Sequence, residues 1–371
     1  MTIIGPKAYI HLDRCISNLE NIQEKVGDCT ILCVVKANGY GHGSVPIAKS
    51  IANNTNIQFA VFSIDEAIKL RESNINNDIL VFSKIQPDFI DLAFENNIIL
   101  NISSLDDIHY IKSYNLKTSR FPRYHIKFET GMTRLGVDIK DAHLLYEKIN
   151  KDLEKHPEGI YTHFATADEG DISYAENQLA KFKDVVDLAA KYNINYKYVH
   201  CSNSGAVLNL KESYFNMVRV GMLLYGAMPS DEVQNDINIK PVMSFCGSIV
   251  NLRRVAKGTP ISYGGVYKTS NDTNIGVIQT GFADGFPRPW YENGYVHYLG
   301  NEYKIAGRVC MDQLMVDFGE IVPNIGDEVL FFGENNLGNI PVETIAKNIN
   351  STPYVLLTAI GGRTKYIYLN D

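Results

Sequence analysis

The segment VVKANGYGHG contains a lysine whose setting suggests covalent chemistry. Lys36 follows an apolar run, and strand alternation places it on the same face as Leu32 and Val34. Burial at a strand end lowers the pKa of a lysine and makes the neutral amine available, which can form a Schiff base with an aldehyde or ketone. The alternative is a solvated lysine at a strand end. The three glycines of the segment favour the first interpretation, because they permit close approach of a ligand to the backbone.

Two further polar side chains stand in apolar segments. Arg219, in FNMVRVGMLLYG, needs a partner because an unpaired buried charge is very costly. It forms either a core salt bridge or a contact with an acceptor nitrogen or anion in a pocket. Gly221 and Met222 then offer backbone N–H groups for a phosphate. His163, in GIYTHFATADEG, is either a structural histidine or part of the same pocket rim.

A second lysine, Lys127, stands in the alternating segment YHIKFETGMTRLG. It either reaches solvent or pairs with Glu129, or it points into the pocket. In the pocket it would lie near Arg134, and two cations there repel unless an anion separates them.

The later part of the chain adds PISYGGVY and GRVCMDQLMVD. Taken singly, Tyr263 fits a solvated turn residue, Cys310 a packing residue and Asp312 a turn carboxylate. Their possible chemistry depends on whether the fold brings them to a site.

These residues require elements that position them, and the pattern of the chain supplies eight strand–helix units within about 225 residues. The unit count favours a parallel (β/α)8 barrel of the TIM type over a doubly wound open sheet. In such barrels the chemistry lies at the carboxyl ends of the strands, where Lys36, His163 and Arg219 fall. The segment from Ser63 to Glu66 is a capping box that begins one of the helices. The predicted strands are Ile31–Lys36, Phe59–Ser63, Asp78–Ser83, Ile98–Ser103, Tyr124–Thr130, Gly159–Ala165, Tyr198–Ser202 and Phe215–Leu224.

After about residue 236 the pattern changes to strands separated by Gly, Asn and Pro turns. We therefore predict a barrel domain over residues 1–236 and a mostly antiparallel β-rich domain over residues 237–371. The predicted strands of the second domain are Met243–Val255, Ile275–Thr280, Val296–Val309, Leu314–Phe318 and Glu328–Phe332, with short helices at Val342–Asn348 and Tyr354–Ala359.

Composition narrows the classes of protein. The 371 residues carry a net charge of −7, which argues against nucleic acid as the main partner. No run approaches the length of a membrane span, and the first residues are too polar for a signal peptide, so we expect a cytoplasmic protein. The six cysteines lack a C-x-x-C pairing and no histidines have zinc-like spacing, so free thiols and no metal are expected.

Together these motifs resemble those of alanine racemases, pyridoxal-phosphate enzymes of fold type III. VVKANGYGHG resembles the cofactor-lysine motif of that family, and TGMTRLG, THFATADEGD, SNSGA, RVGMLLYG, ISYGG, GFADG and CMDQLMVD follow in the family order. The resemblance extends from about Tyr9 to Tyr368.

The resemblance implies pyridoxal 5′-phosphate bound to Lys36, which would also act as one catalytic base. Tyr263 would be the second base, supplied across a homodimer interface, and His163 would link it to Arg219 at the pyridine nitrogen. Family members often carry a carbamylated lysine at the position of Lys127. The other implied contacts are Tyr40, Asn203, Ser204, Gly221, Met222 and Tyr354 for the cofactor and Arg134, Met311 and Asp312 for the substrate.

The implied reaction is the interconversion of L-alanine and D-alanine, supplying D-alanine for peptidoglycan. GFADG has Phe282 where many family members have tyrosine, and Val220 replaces a common proline. The alternatives are racemisation of serine or of several amino acids, a fold type III decarboxylase, and a non-catalytic pyridoxal-phosphate carrier.

Overall fold

Eight parallel strands form an N-terminal barrel in the computed structural model, which describes residues 5–234 and 236–370. Neighbouring strands pair in chain order, and the last strand pairs with the first. Just beyond the seventh strand, the backbone N–H of Arg219 donates to Ser202 O at 2.9 Å and closes the ring. The predicted barrel is confirmed. Its strands are Thr30–Val34, Ile57–Val61, Ile79–Val81, Ile99–Ile102, Arg123–Glu129, Gly159–Tyr161, Tyr198–His200 and Met217–Val220.

Most strands end earlier than their apolar runs suggest. The first ends at Val34 and the sixth at Tyr161, so Lys36 and His163 each lie two residues past a strand and not within it. The apolar run continues past the first and sixth strands because Val35 and Phe164 are buried there. The predicted strand ends at Lys36 and Ala165 were therefore wrong.

Helices cover the outside of the barrel. In the part of the chain that the structure describes, no long helix follows the eighth strand. The N-terminal helix Leu12–Val26 packs there, with Asn18 Nδ2 donating to Leu224 O at 3.2 Å. The other helices of this region are Ser44–Ile51, Ile64–Glu72, Ile90–Glu95, Leu105–Thr118, Ala142–Asp152, Ser173–Lys191 and Ser204–Asn209.

The predicted capping box is confirmed, and it also supports the site. Ser63 Oγ accepts from Glu66 N at 3.4 Å, and the Glu66 carboxylate accepts from Ser63 N at 3.3 Å. The other Glu66 oxygen accepts from Ala37 N at 2.7 Å. The Glu66 carboxylate, in the first turn of this helix, thus caps the helix and also fixes the backbone next to Lys36.

Within the described residues, the second part of the chain supplies eight strands of a nine-stranded, mostly antiparallel sheet, and the mostly antiparallel character is as predicted. It closes on itself, because the strand Met243–Val255 pairs with two others besides the N-terminal strand. Its strands in chain order are Lys7–His11, Met243–Val255, Thr273–Ile278, Tyr295–Tyr298, Asn301–Ile305, Leu314–Asp317, Glu328–Asn335, Gly338–Ile340 and Lys365–Leu369, with helices Val342–Asn348 and Pro353–Ala359.

Two features of this sheet differ from the prediction. The predicted single strand Val296–Val309 is a hairpin that turns at Leu299 and Gly300, both with positive φ. The strand Lys7–His11 belongs to this sheet and not to the barrel, because it pairs with Met243–Val255 and Lys365–Leu369. The division at residues 236 and 237 otherwise stays a prediction, and its outer ends, residues 1–4 and 371, lie outside the described residues.

Within the described residues no helix is both long and apolar enough to cross a membrane.

Candidate active site

A cavity of about 810 Å³ opens where the barrel strands end. It collects most of the residues that the sequence singled out, although they come from five different barrel strands and from the helix Pro353–Ala359. The predicted site residues that line it are Lys36, Tyr40, Lys127, Arg134, His163, Asn203, Ser204, Arg219, Gly221, Met222 and Tyr354.

Lys36 begins a tight turn whose next residues are all left-handed. Their φ angles are +51° at Ala37, +53° at Asn38, +64° at Gly39 and +49° at Tyr40. Each non-glycine residue in this region costs about 1–2 kcal/mol, so the surrounding structure must hold the turn. Its effect is to present both Lys36 and Tyr40 to the cavity. Burial, with a contribution from the cation of Arg134, lowers the pKa of Lys36 and favours its neutral amine.

Arg219 is buried at the floor of the cavity and its partners are not carboxylates. Its two terminal nitrogens donate to three backbone carbonyls, those of Thr162 at 2.7 Å, His200 at 3.0 Å and Cys201 at 3.0 Å. Burial lowers the pKa of Arg219 to about 10, so it remains a cation at neutral pH. Among the described residues, Arg219 does not form the core salt bridge that the sequence left open. The carbonyls solvate a charge that is free to act on a ligand.

The imidazole rings of His163 and His200 flank the Arg219 guanidinium, whose hydrogen bonds determine which nitrogen of each ring carries the proton. Arg219 lies 3.2 Å from His163 Nδ1 and 3.0 Å from His200 Nδ1. A guanidinium only donates, so both Nδ1 atoms accept and both rings carry their proton on Nε2. Burial, then the charge of Arg219, lowers the pKa of His163 and of His200, which keeps both rings neutral.

Lys127 points into the cavity and does not pair with Glu129. The carboxylate of Glu129 instead accepts the backbone N–H groups of Gly131 at 2.6 Å and Arg134 at 3.1 Å. Burial, then the charges of Arg134 and Arg219, lowers the pKa of Lys127 to about 8. The cavity therefore gathers cations that favour anionic ligands.

One end of the cavity fits a phosphate. A Cβ on Gly221 would lie 2.7 Å from the hydroxyl of Tyr40, so only glycine leaves this space open. Burial raises the pKa of Tyr40 and of Tyr354, so both hydroxyls stay protonated and can donate. Ser204 Oγ lies 3.3 Å from Gly221 N and completes a group of small polar donors.

Three predicted site residues lie outside this cavity. Tyr263 is 65% exposed and Met311 is 55% exposed, and Asp312 stands beside Met311 with its carboxylate bound by Arg363 at 2.7 Å. The loops that carry them are joined, since Ser262 Oγ donates to Arg308 O at 2.6 Å. They form one exposed face of the β-rich sheet.

Among the residues that sequence reasoning missed are the two rings beside Arg219, those of Tyr161 and His200. Tyr161 lines the cavity, stacks on His200 at 4.7 Å and donates to Asn101 Oδ1 at 2.9 Å. The Arg219 guanidinium lies 5.4 Å from the centre of the Tyr161 ring. Strand alternation was the available signal for Tyr161, which is two residues before His163.

A lysine of lowered pKa, a phosphate cradle and a buried cation at the carboxyl ends of barrel strands define a class of enzyme. It is the class that binds pyridoxal phosphate through a lysine on a (β/α)8 barrel. The donor set fits that cofactor at both of its ends, with an amine for the aldehyde and hydroxyls for the phosphate.

Comparison with known proteins gives the family. The family described as "Alanine racemase, N-terminal domain" matches residues 10–229, and "Alanine racemase, C-terminal domain" matches residues 242–368. The chain belongs to the alanine racemase family, and it is an isomerase that depends on pyridoxal phosphate.

Individual relatives match over nearly their whole length. An alanine racemase of Halothermothrix orenii is 36% identical over 355 residues, which cover 95% of this chain and 94% of the relative. A solved alanine racemase of Clostridium difficile 630 is 33% identical, with a TM-score of 0.92 over 100% of this chain and 97% of that one. The Bartonella henselae enzyme, described with covalently bound pyridoxal phosphate, is 27% identical with a TM-score of 0.88 over 99% of this chain and 100% of that one.

Proposed function

We propose that this protein interconverts L-alanine and D-alanine with pyridoxal phosphate, using Lys36 and Tyr263 as its two bases. The observation that carries the proposal is the pairing of a lysine of lowered pKa with a buried guanidinium in one cavity. The relatives named above are alanine racemases, which supports alanine as the substrate.

Arg219 controls the fate of the substrate. When bound, pyridoxal phosphate acidifies the α-proton of an amino acid. Arg219 stays cationic, and with its guanidinium toward the pyridine nitrogen it would disfavour protonation of that nitrogen, unlike a carboxylate partner. This weaker electron demand limits decarboxylation and transamination and leaves proton exchange as the main reaction.

The two bases act on opposite faces of the substrate, which is why the stereocentre inverts. Lys36 exchanges the proton of the D enantiomer from one side, and Tyr263 that of the L enantiomer from the other. A phenol hydroxyl is a weak acid, so Tyr263 needs a donor to stabilise its phenolate. His163 supplies it, because its Nδ1 accepts from Arg219 at 3.2 Å and its Nε2–H is left to donate.

Tyr263 reaches a site only if a second copy of the chain supplies it. In one chain Tyr263 is exposed and does not line the cavity. Exposed Phe282 and Met311 share its face, which gives a homodimer an apolar surface to bury. We therefore propose that Met311 and Asp312 of one chain bind the carboxylate of the substrate in the cavity of its partner. Arg134, which belongs to the chain that forms that cavity, binds the same carboxylate.

The remaining assignments complete the proposal. Tyr40, Ser204, Gly221, Met222 and Tyr354 bind the cofactor phosphate, and Asn203 lies beside them. Lys127 carries a carbamate that separates the cations of the cavity. The barrel domain and the β-rich domain divide between residues 236 and 237, apart from the strand Lys7–His11, which joins the β-rich sheet. The protein works in the cytoplasm to supply D-alanine for peptidoglycan.

Chiral product analysis tests the function. Purified protein with added pyridoxal phosphate is incubated with single L-amino acids, and the products are separated by enantiomer. A predominance of D-alanine supports the proposal, whereas D-serine or several D-products would overturn the specificity. No D-product from protein that holds its cofactor would favour a decarboxylase or a carrier.

The variant Tyr263→Phe tests the second base. We expect racemisation to be abolished while the absorbance of the lysine-bound cofactor remains. Tyr110→Phe, which removes the hydroxyl of a partly exposed tyrosine on the helix Leu105–Thr118, is the matched control. Near-normal racemase activity in Tyr263→Phe would refute the assignment.

A further inference from the structure

A buried histidine lies directly beneath the left-handed turn that follows Lys36. His42 is fully buried, and its Nδ1 lies 3.0 Å from Gly39 O and 2.9 Å from Tyr40 O. Both partners are carbonyl oxygens, which only accept, so Nδ1 carries the proton. Burial lowers the pKa of His42 to about 4, so the ring is neutral under ordinary conditions.

The ring itself is held in place by packing. It stacks on Tyr225 with 4.5 Å between ring centres, and the Tyr225 hydroxyl donates to Val34 O at 3.0 Å. His42 Nε2 has no hydrogen-bond partner among the described residues. The polar contribution of the side chain is therefore the pair of bonds from Nδ1 to the turn.

Those two bonds act on the backbone that links the two ends of the cofactor site. Ala37, Asn38 and Tyr40 are non-glycine residues with positive φ, a conformation that persists only where the surroundings enforce it. Tyr40 O is one of the two carbonyls held, and the side chain of Tyr40 lies between Gly221 and the ring of Tyr354. A rotation of this peptide would move the Tyr40 hydroxyl relative to the Lys36 amine.

We propose that His42 is a positioning residue for the cofactor, whose Nδ1–H fixes the distance between Lys36 and Tyr40. It touches neither substrate nor cofactor and acts through the backbone of the turn. The proposal rests on the roles proposed above for Lys36 and Tyr40.

Two variants separate the hydrogen bond from the packing of the ring. His42→Phe keeps an aromatic ring against Tyr225 but removes the donor, and His42→Asn places an amide N–H near the position of Nδ1. Val185→Ala, in the core of the helix Ser173–Lys191, is a control that loosens the barrel away from the turn. For each we would titrate the apoprotein with pyridoxal phosphate and measure the melting temperature of the apoprotein.

We expect His42→Phe to weaken cofactor binding by about tenfold, which corresponds to the loss of one well-formed hydrogen bond. His42→Asn should bind the cofactor within about threefold of the wild type, and rescue of this kind requires the donor. Val185→Ala should lower the melting temperature and leave the dissociation constant unchanged.

The proposal is overturned if His42→Phe lowers the melting temperature but binds the cofactor like the wild type. If His42→Phe does not fold, the test rests on His42→Asn. A folded His42→Asn protein whose dissociation constant for the cofactor is tenfold or more above that of the wild type then overturns the proposal. The variant Tyr40→Phe distinguishes a failure of the proposed phosphate site from a failure of the proposed role of His42. If Tyr40→Phe binds the cofactor normally, the proposed phosphate site fails. If Tyr40→Phe weakens binding and His42→Phe does not, only the role of His42 fails.

Discussion

Lys127 should take up carbon dioxide, and the product should be measurable on the protein. The neutral amine attacks the carbon of CO₂, an N–C bond forms, and one amine proton leaves to solvent. A cation is thereby replaced by an anionic carbamate. The reaction needs a neutral amine, and burial with the charges of Arg134 and Arg219 lowers the pKa of Lys127 to about 8.

The lowered pKa gives the size of the effect. At pH 7, a pKa of about 8 leaves about 9% of the amine neutral. A lysine with the ordinary value of 10.5 would be about 0.03% neutral, so the reactive form is enriched about 300-fold. The carbamate is then favoured further, since it faces the same cations that repelled the ammonium group. Because the neutral fraction falls about tenfold per pH unit below the pKa, occupancy should decrease as the pH is lowered.

Carbon-13 NMR on holoprotein incubated with labelled bicarbonate is the assay. We expect one carbamate resonance that is absent in Lys127→Ala and retained in Lys49→Ala, which removes an exposed lysine of the helix Ser44–Ile51. An active holoprotein with no such resonance under saturating bicarbonate would refute the reasoning. Lys127 would then act as an unmodified cation.

Three further substitutions test the framework of the site. Gly41→Ala should destabilise the fold by about 2 kcal/mol or more and weaken cofactor binding. The new Cβ would lie 2.1 Å from Leu357 O, at a φ of +83° that disfavours alanine. Thermal unfolding measures the loss of stability, and cofactor titration measures the loss of binding. Arg219→Lys should lower the free energy of unfolding by about 2–3 kcal/mol in urea titrations, since three donors cannot satisfy the carbonyls and imidazoles that the guanidinium binds. Arg123→Met breaks the two-pronged pair with Glu158, both contacts 2.7 Å, at the opposite end of the barrel. It should lower stability by about 1 kcal/mol and leave kcat unchanged, and a changed kcat would contradict the separation of the two barrel ends.

Periodicity made most of the fold predictable. Each barrel strand is a short apolar run because both of its faces are buried, and each such run was found. The hairpin at Leu299 was missed because an apolar residue occupies a turn whose signal is normally polar. The strand Lys7–His11 was not predicted, and its residues were included in the barrel domain, because its partners lie more than 200 residues away and no local pattern reports such a pairing.

The candidate site was only partly predictable from the sequence. The motif around Lys36 and the order of the other motifs were sufficient to indicate the cofactor and the reaction class, because those signals are local in the chain. Tyr161 and His200 were missed, since an aromatic or histidine in a strand usually only fills a core. The contribution of His42 was also invisible, because it depends on the left-handed backbone before it.

The sequence by itself determined which groups are present and in what order, including Lys36, Arg219 and Tyr263. The tertiary structure decided their chemical states. The lowered pKa values of Lys36 and Lys127 and the Nε2–H tautomer of His163 all depend on burial and on charges from other strand ends. Desolvation and electrostatic coupling act through space between residues distant in the chain, and only the folded barrel brings those residues within reach of one another.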